Sequence, residues 1–279
     1  MIKGAATKKV IKYCAVIGII AATFIFFGFY IHGHPELITT LADLNFLTLL
    51  LLTVGYVSVT VTNAFVLLYS LRLIKKRTPI IDNIILTGYS SIVNFFGPLQ
   101  SGPGFRAIYL KKKYGVKLRA FFVTTLIFYG FFGIINAAII AISSANTFGS
   151  TPFYITAIVS LITLGVAAIY AATRIKRIQA ILVSVKLNDK NFWLIGLGAA
   201  MVSLITAAIY FIEIQHINAD ISVTQVIVYT AAANLSLFVS LTPGAIGIRE
   251  SFLVLSQQLH GIDTSTIVGA SVIDRAFYV

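Results

Sequence analysis

The sequence predicts an all-α polytopic membrane protein, with about six transmembrane helices and two re-entrant helical hairpins in an inverted repeat. Three observations predict this fold. The 279-residue chain is 58% hydrophobic and only 11% charged, with a mean hydropathy of +0.94, which leaves too little polar surface to face water. The apolar residues form continuous runs, unlike the alternating short segments of a membrane β-barrel. The basic residues cluster at the ends of those runs.

The net charge of +12 follows the membrane topology. Most of the 21 lysines and arginines fall in four clusters that border apolar runs, at residues 3–12, 72–77, 111–119 and 174–190. Basic clusters beside spans are retained on the cytoplasmic side of a membrane. This placement argues against a nucleic-acid partner and predicts a multi-pass membrane protein with its N-terminus in the cytoplasm.

Six apolar runs predict the membrane-crossing helices. The first follows the basic N-terminus and is interpreted as an uncleaved helix, because it is long and no small-residue cleavage site follows it. The last is still apolar where the chain stops, so we expect that helix to continue beyond Val279. The predicted spans are residues 13–31, 44–71, 120–142, 153–172, 192–212 and a last one from about 264.

Two further apolar regions do not fit as crossings. Residues 80–110 have a basic cluster on each side, so this stretch must enter and leave on the cytoplasmic face. Residues 223–259 have only acidic flanks and should enter and leave on the outer face. Each region therefore predicts a re-entrant hairpin. The acidic residues that this topology places at or near the outer face are Glu36, Asp43, Glu213, Asp220 and Asp263.

The same assignment predicts an inverted repeat within a single membrane domain, residues 1–279. Residues 1–142 and residues 143–279 each follow the order helix, helix, hairpin, helix. An odd number of crossings separates the two units, which would relate them by a two-fold axis in the membrane plane, as in many transporters. The second unit is expected to be truncated at its C-terminus.

Proline and glycine mark where each hairpin should break. Pro98 and Gly102-Pro103-Gly104 interrupt the first hairpin, and Pro243-Gly244 interrupts the second. Proline cannot donate to the helical ladder, and glycine tolerates turn dihedrals. Each break should expose the N–H groups of a restarting half-helix, which favour an anion such as phosphate. Asn94 and Asn234 precede the breaks and are predicted to hydrogen-bond the exposed backbone or to bind ligand.

Arg106 and Arg249 should stand one turn into the two half-helices. An arginine near the bilayer centre costs about 2.5–3.5 kcal/mol and needs a partner. Its guanidinium matches a phosphodiester in two-point geometry. The other interpretation is an internal ion pair, of Arg249 with Glu250 or Asp274 and of Arg275 with Asp274. Arg106 could instead extend toward Lys111.

No sequence pattern indicates catalysis. The chain has no Gly-rich phosphate loop, no His-Glu-x-x-His and no Gly-x-Ser-x-Gly motif, and its one cysteine, Cys14, lies in the first predicted span. The four histidines show no metal-type spacing. We therefore expect no catalytic residues, no metal site and no cofactor.

The two arginine segments resemble the lysylphosphatidylglycerol synthase transmembrane region family. The first match is Pro98, Gly104 and Arg106, with Phe105 where that family has an acidic residue. The second match is Pro243, Gly244, Gly247, Arg249 and Glu250, with Asp274-Arg275 in the last helix. The resemblance implies an inner-membrane protein with two re-entrant helices that moves an aminoacylated or other anionic lipid between leaflets. The family's aminoacyl transferase activity belongs to a separate soluble domain, which this sequence does not contain.

The resulting hypothesis is a flippase-like protein that translocates an anionic or aminoacylated phospholipid. The predicted substrate-binding residues are Asn94, Pro98, Gly104, Arg106, Asn234, Pro243, Gly244, Gly247, Arg249, Glu250, Asp274 and Arg275. The alternative is a non-transporting membrane partner of a cell-envelope glycosyltransferase or lipid-modifying enzyme. In that case, this protein would bind a membrane-bound or soluble transferase. Which lipid moves and in which direction stays open at this point.

Overall fold

The structure, a computed structural model, describes residues 42–96, 101–148, 189–239, 245 and 247–278. All regular structure in these ranges is helical. The helices of the described residues are α1 (Phe46–Leu73), α2 (Ile80–Phe96), α3 (Gly102–Tyr114), α4 (Leu118–Phe148), α5 (Lys190–Ile217), α6 (Val223–Ser236), α7 (Ile248–Leu255), α8 (Gln257–His260) and α9 (Thr264–Tyr278), with a 3₁₀ turn at Leu237–Val239 after α6.

Three of these helices are long and apolar enough to cross a membrane: α1, the first 26 residues of α4, and α5. They match the predicted spans 44–71, 120–142 and 192–212, with ends that differ by a few residues. Large apolar side chains such as Val57, Ile134 and Leu204 are exposed on their outer faces, as expected for helices that contact lipid. The predicted spans 13–31 and 153–172 lie outside the described residues.

Helices α1 and α5 form an antiparallel pair at the centre of the fold. Gly55 near the start of α1 lies against Ile209 near the end of α5, and Gly198 near the start of α5 lies against Val66. Glycines at these positions allow the two helix axes to approach closely.

The closest of these contacts gives a first prediction. A Cβ atom on Gly198 would lie 2.4 Å from Cγ2 of Val66, and a β-branched side chain has little rotamer freedom to yield. Gly198→Ala should therefore destabilise the protein by about 1–3 kcal/mol, measured as a lower thermal unfolding midpoint in detergent. Val66→Ala in the same chain should recover most of that loss. A double variant no more stable than Gly198→Ala would contradict the contact.

Helices α2 and α3 form the first hairpin, in which α2 ends at Phe96 and α3 begins at Gly102. Its two ends meet, because Lys113 of α3 forms an ion pair with Asp82 of α2. Lys76, just after α1, donates from Nζ to the carbonyl oxygen of Tyr114 at 3.2 Å. The open end of this hairpin therefore lies beside the C-terminal end of α1.

Two details of the first hairpin differ from the sequence-based expectation. Helix α3 already begins at Gly102, so the Gly-Pro-Gly segment lies in its first turn and not in the break. The helix also continues through Lys111–Lys113 to Gly115, which closes it with a φ of 60°. Lysines in the last helical turn interact favourably with the helix dipole, which explains why the helix extends into the basic cluster.

Helices α6, α7 and α8 form the second hairpin. Ser222 and Gln225 close a capping box at the start of α6, and Gln225 Nε2 lies 3.4 Å from the carbonyl oxygen of Gly261, just after α8. The start of α6 follows the C-terminal end of α5 directly. Since α1 and α5 are antiparallel, the two hairpins open at opposite ends of this pair.

The described elements follow the predicted repeat order. Helix α1, the first hairpin and α4 correspond to α5, the second hairpin and α9, and the equivalent helices α1 and α5 are antiparallel. Helix α4 continues to Phe148, past the predicted boundary between residues 142 and 143, because the apolar run is followed by small and polar residues that do not break a helix. The division into two repeats stays a prediction.

Asp263 caps the last helix and gives a second prediction. Its carboxylate accepts from the backbone N of Thr266 at 3.1 Å, and hydrogen bonds from Ser265 and Thr266 lower the pKa of Asp263 to about 2. Asp263→Ala should lower stability by about 1 kcal/mol at neutral pH. Because the folded pKa lies below the ordinary value of about 3.9, the contribution is complete above that pH and declines as the pH falls toward 2. Thermal unfolding of both proteins at several pH values tests this, and an equal difference at acidic and neutral pH would contradict it.

Candidate functional site

A cavity of about 250 Å³ lies between the two hairpins and the long helices. Both predicted arginine segments contribute to its wall. The residues of the two hairpins and of α9 that line it include Asn94, Pro103, Arg106, Asn234, Arg249, Asp274 and Arg275. The structure thus brings together side chains separated by more than half of the sequence, because both hairpins pack against the long helices around this cavity.

Arg249 is held by a buried ion pair on the cavity wall. It is the second residue of α7, not a full turn into the helix as predicted, and it is 8% exposed. Its Nη1 donates to Asp274 of α9, and its Nη2 donates to the hydroxyl of Tyr210 of α5. The guanidinium carbon also lies 5.1 Å from the centre of the Tyr210 ring. The internal ion pair considered for Arg249 therefore exists, and its partner is Asp274.

A second carboxyl is connected to this ion pair through a tyrosine. The hydroxyl of Tyr56 on α1 lies 2.9 Å from Oε1 of Glu213 on α5 and within hydrogen-bonding distance of Oδ1 of Asp274. Glu213 is fully buried. The position of Glu213 at or near the outer face stays a prediction. The residue lies near the end of α5, and its side chain points into the protein, where the Tyr56 hydroxyl provides a polar partner.

Arg275 is paired with Glu250, not with Asp274 as expected. The Nη2 of Arg275 donates to Oε1 of Glu250, and both side chains are largely buried. Glu250 also accepts from the backbone N of Gly247 at 2.8 Å. Part of the N-terminal N–H array of α7, which we predicted to receive an anion, is thus occupied by the helix's own carboxylate. The reason is the spacing of three residues between Gly247 and Glu250, which favours a capping contact.

The first hairpin is closed around the break by Asn94. Its Oδ1 accepts from the backbone N of Gly102 at 3.1 Å, and Ser101 Oγ donates to the carbonyl oxygen of Val93 at 3.0 Å. Asn94 therefore satisfies backbone exposed by the break, one of its two predicted roles. Arg106 stands one turn into α3, is half-buried, and lines the cavity together with Tyr129 of α4.

Asn234 has a different partner from the one expected. Its Nδ2 donates to Oδ1 of Asn136 at 3.0 Å, and Asn136 Nδ2 donates to Ser203 Oγ at 3.1 Å. All three side chains are buried. Asn234 lies inside α6, where the backbone is already hydrogen-bonded, so its amide connects α6 to α4 and α5 instead of satisfying the break.

The family described as lysylphosphatidylglycerol synthase TM region matches residues 14–279. The chain belongs to this family. No curated protein and no solved structure matches the chain. The match and the long apolar helices together identify an integral membrane protein of a family associated with lipid modification or translocation. They confirm the resemblance inferred from the arginine segments.

Five further residues of this member of the lysylphosphatidylglycerol synthase TM region family belong to the predicted site: Pro98, Gly104, Pro243, Gly244 and Gly247. Gly104 and Gly247 are exposed and do not line the cavity. Pro98, Pro243 and Gly244 lie outside the described residues. The substrate-binding role of the predicted residues stays a prediction. Within the described ranges, no group of three histidine, cysteine, aspartate or glutamate side chains is placed to hold a metal ion.

Three residues of this site were missed in the sequence: Tyr56, Tyr210 and Glu213. Tyr56 and Tyr210 lie inside apolar runs rich in aromatic residues, where nothing distinguishes a polar hydroxyl contact from packing. Glu213 carried a usable signal, because it stands between Ile212 and Ile214, one turn before the end of α5. An acidic residue enclosed by isoleucines in a span is a candidate functional residue.

Proposed function

We propose that this protein translocates a phosphate-bearing lipid between the leaflets of the plasma membrane, in the manner of a flippase and without catalysing a reaction. The observation that carries the proposal is the central cavity, on whose wall the arginines of both hairpins meet. The proposed substrate is an anionic or aminoacylated phospholipid. The headgroup would occupy the cavity while the acyl chains stay in the bilayer.

The charge of the cavity wall supports an anionic ligand. Among the described lining residues, Arg106, Arg249 and Arg275 are basic and Asp274 is acidic. With Glu250, the partner of Arg275, counted as well, three basic and two acidic groups leave an excess of one positive charge. Guanidinium groups bind phosphate oxygens through paired N–H donors. Burial in a site of low dielectric strengthens that attraction compared with water.

The size of the cavity supports a headgroup as the bound part. Sites for drug-sized molecules have volumes of about 300–1,000 Å³, and this cavity, at about 250 Å³, is slightly smaller. It is suited to a phosphate and a short polar group. Two acyl chains would not fit, which is consistent with chains that remain among the lipids.

The arrangement of the hairpins supports access from both leaflets. Neither α2 nor α3 reaches the roughly 20 residues needed to cross a bilayer, with 17 and 13 residues, and α6 has only 14. We propose that the first hairpin is re-entrant from the cytoplasm and the second from the outer face. The cavity between the two hairpins would then be a site at mid-membrane that is reached from either leaflet, as in transporters built from inverted repeats.

Binding of phosphate at Arg249 requires that the ion pair with Asp274 be loosened or shared. A phosphate oxygen can replace a carboxylate oxygen at one guanidinium edge with the same geometry. The internal pair therefore keeps the buried arginine satisfied while the site is empty, and the ligand takes over that role. Through this exchange, ligand binding would change the contact between α7 and α9.

The alternative, a non-transporting partner of an envelope transferase, rests on the ion pairs of Arg249 and Arg275, since each arginine is paired with a carboxylate of the protein itself. Reconstitution into liposomes separates the two functions. Fluorescent phosphatidylglycerol, lysyl-phosphatidylglycerol and a phosphate-lacking diacylglycerol would be followed by leaflet-specific quenching. We expect the protein to accelerate exchange of the two phospholipids and not of the diacylglycerol beyond its spontaneous rate. Liposomes with folded protein and no acceleration would overturn the proposal in favour of the partner function.

A further inference from the structure

Glu213 is a buried carboxyl without a positively charged partner among the described residues. It is fully buried, its Oε1 contacts the Tyr56 hydroxyl, and its Oε2 has no hydrogen-bond partner in the described part of the chain. An ionised carboxylate in such a place costs several kcal/mol unless it is paired. The charged or titratable groups of the elements packed around it are Tyr56 of α1, Tyr210 of α5, Tyr229 of α6, Arg249 of α7, His260 of α8 and Asp274 of α9.

The hydrogen-bond geometry at Tyr56 favours a proton on this carboxyl. A phenol carries one hydroxyl proton, yet the Tyr56 oxygen lies within hydrogen-bonding distance of a carboxyl oxygen of both Glu213 and Asp274. Two ionised carboxylates around one proton would leave one contact repulsive. Asp274 already has Arg249 as its counter-ion. A protonated Glu213 would satisfy both contacts, since its carboxyl would donate to Tyr56 while Tyr56 donates to Asp274.

This chain of hydrogen bonds ends at the ion pair that an anion would have to open. When a phosphate takes over the guanidinium of Arg249, the carboxylate of Asp274 loses its counter-ion while it is only 5% exposed. A proton is the simplest replacement for that counter-ion, and the neighbouring Tyr56 hydroxyl is in contact with the same carboxylate.

We propose that Glu213 and Tyr56 form a proton relay to Asp274, so that capture of a phosphate anion by Arg249 is accompanied by uptake of one proton. This inference rests on the proposed function, since it assumes that the cavity binds a phosphate. The Tyr56 O–H bond breaks and its proton passes to Asp274 Oδ1. The Glu213 carboxyl proton passes to Tyr56 Oη. One proton drawn from the bulk solvent restores the Glu213 carboxyl, so the net change is one anion and one proton bound.

The protonation of Glu213 is tested without any ligand. The infrared spectrum of the purified protein should contain the carbonyl band of a protonated carboxylic acid at neutral pH. Glu213→Gln should remove this band, and Asp220→Asn, which changes an exposed carboxyl in the loop after the same helix, should retain it. If Glu213→Gln left this band unchanged, or if the wild-type spectrum showed a fully ionised Glu213, the relay would be overturned whatever the protein binds.

The proton uptake is tested with a short-chain phosphatidylglycerol as the probe. Calorimetric titration in two buffers of different ionisation enthalpy should give an uptake of about one proton per bound lipid. In stopped-flow measurements with a pH-indicator dye, Tyr56→Phe should slow the uptake by about a hundredfold or more, while its ring can keep stacking on Phe277 at 6.0 Å. Binding without proton uptake would overturn only the relay, whereas absence of binding would overturn the relay together with the proposed function.

Discussion

Replacing Arg249 with alanine is expected to abolish lipid translocation and to destabilise the protein by about 3–5 kcal/mol. The variant leaves Asp274 with its Tyr56 contact but without a counter-ion in a buried position, and it removes a guanidinium from the cavity wall. The two effects would be measured as the rate of leaflet exchange in liposomes and as the thermal unfolding midpoint in detergent.

A paired variant separates stability from transport at this site. Arg249→Gln combined with Asp274→Asn removes both charges and keeps hydrogen-bonding groups at both positions. Replacing both members of a buried ion pair is often neutral for stability, so we expect an unfolding midpoint close to that of the wild type and exchange still absent. A stable double variant that moves lipid at the wild-type rate would show that Arg249 has only a structural role.

Gly102→Ala is expected to open the first hairpin. A Cβ atom at this position would lie 2.6 Å from the carbonyl oxygen of Ser90 and 3.2 Å from Oδ1 of Asn94. A backbone atom cannot rotate away as a side chain can, so α3 must move away from α2. We expect a loss of about 1–3 kcal/mol in stability and slower lipid exchange, because Arg106 moves together with α3.

The matched control for this variant is Gly88→Ala on the neighbouring helix α2. A Cβ atom on Gly88 would meet nothing within 4 Å, and alanine in a helix interior is favoured over glycine by up to about 1 kcal/mol. The control should unfold at the same temperature as the wild type or higher. If both variants behaved alike, close packing of the α2/α3 hairpin at Gly102 would be refuted.

The sequence was most informative where composition and charge act over many residues. The spans at 44–71, 120–142 and 192–212 appear as long apolar helices with nearly the same ends. Membrane-crossing helices of this kind are fixed by hydrophobicity over about 20 residues, which a single sequence contains. The separation of α2 from α3 was predictable for a related reason, since proline and glycine act on the local backbone.

The partners of individual polar residues were predicted less well. Arg275 was expected to pair with Asp274 and pairs with Glu250. Asn234 was expected at exposed backbone and contacts Asn136. Neighbouring residues of a helix point in different directions, and which charged group each of them meets depends on the rotation of the packed helices. No pattern in the sequence specifies that rotation.

The sequence by itself determined the membrane class of the protein, its family, its long helices and the arginines of both hairpins. Only the tertiary structure decided that these arginines share one cavity, that Arg249 is held by Asp274 and Tyr210, and that Glu213 points inward to Tyr56. Hydrophobic transfer is nearly additive along the chain and can be summed from the sequence. A buried polar contact requires two atoms from distant segments at hydrogen-bond distance, and only helix packing sets that distance.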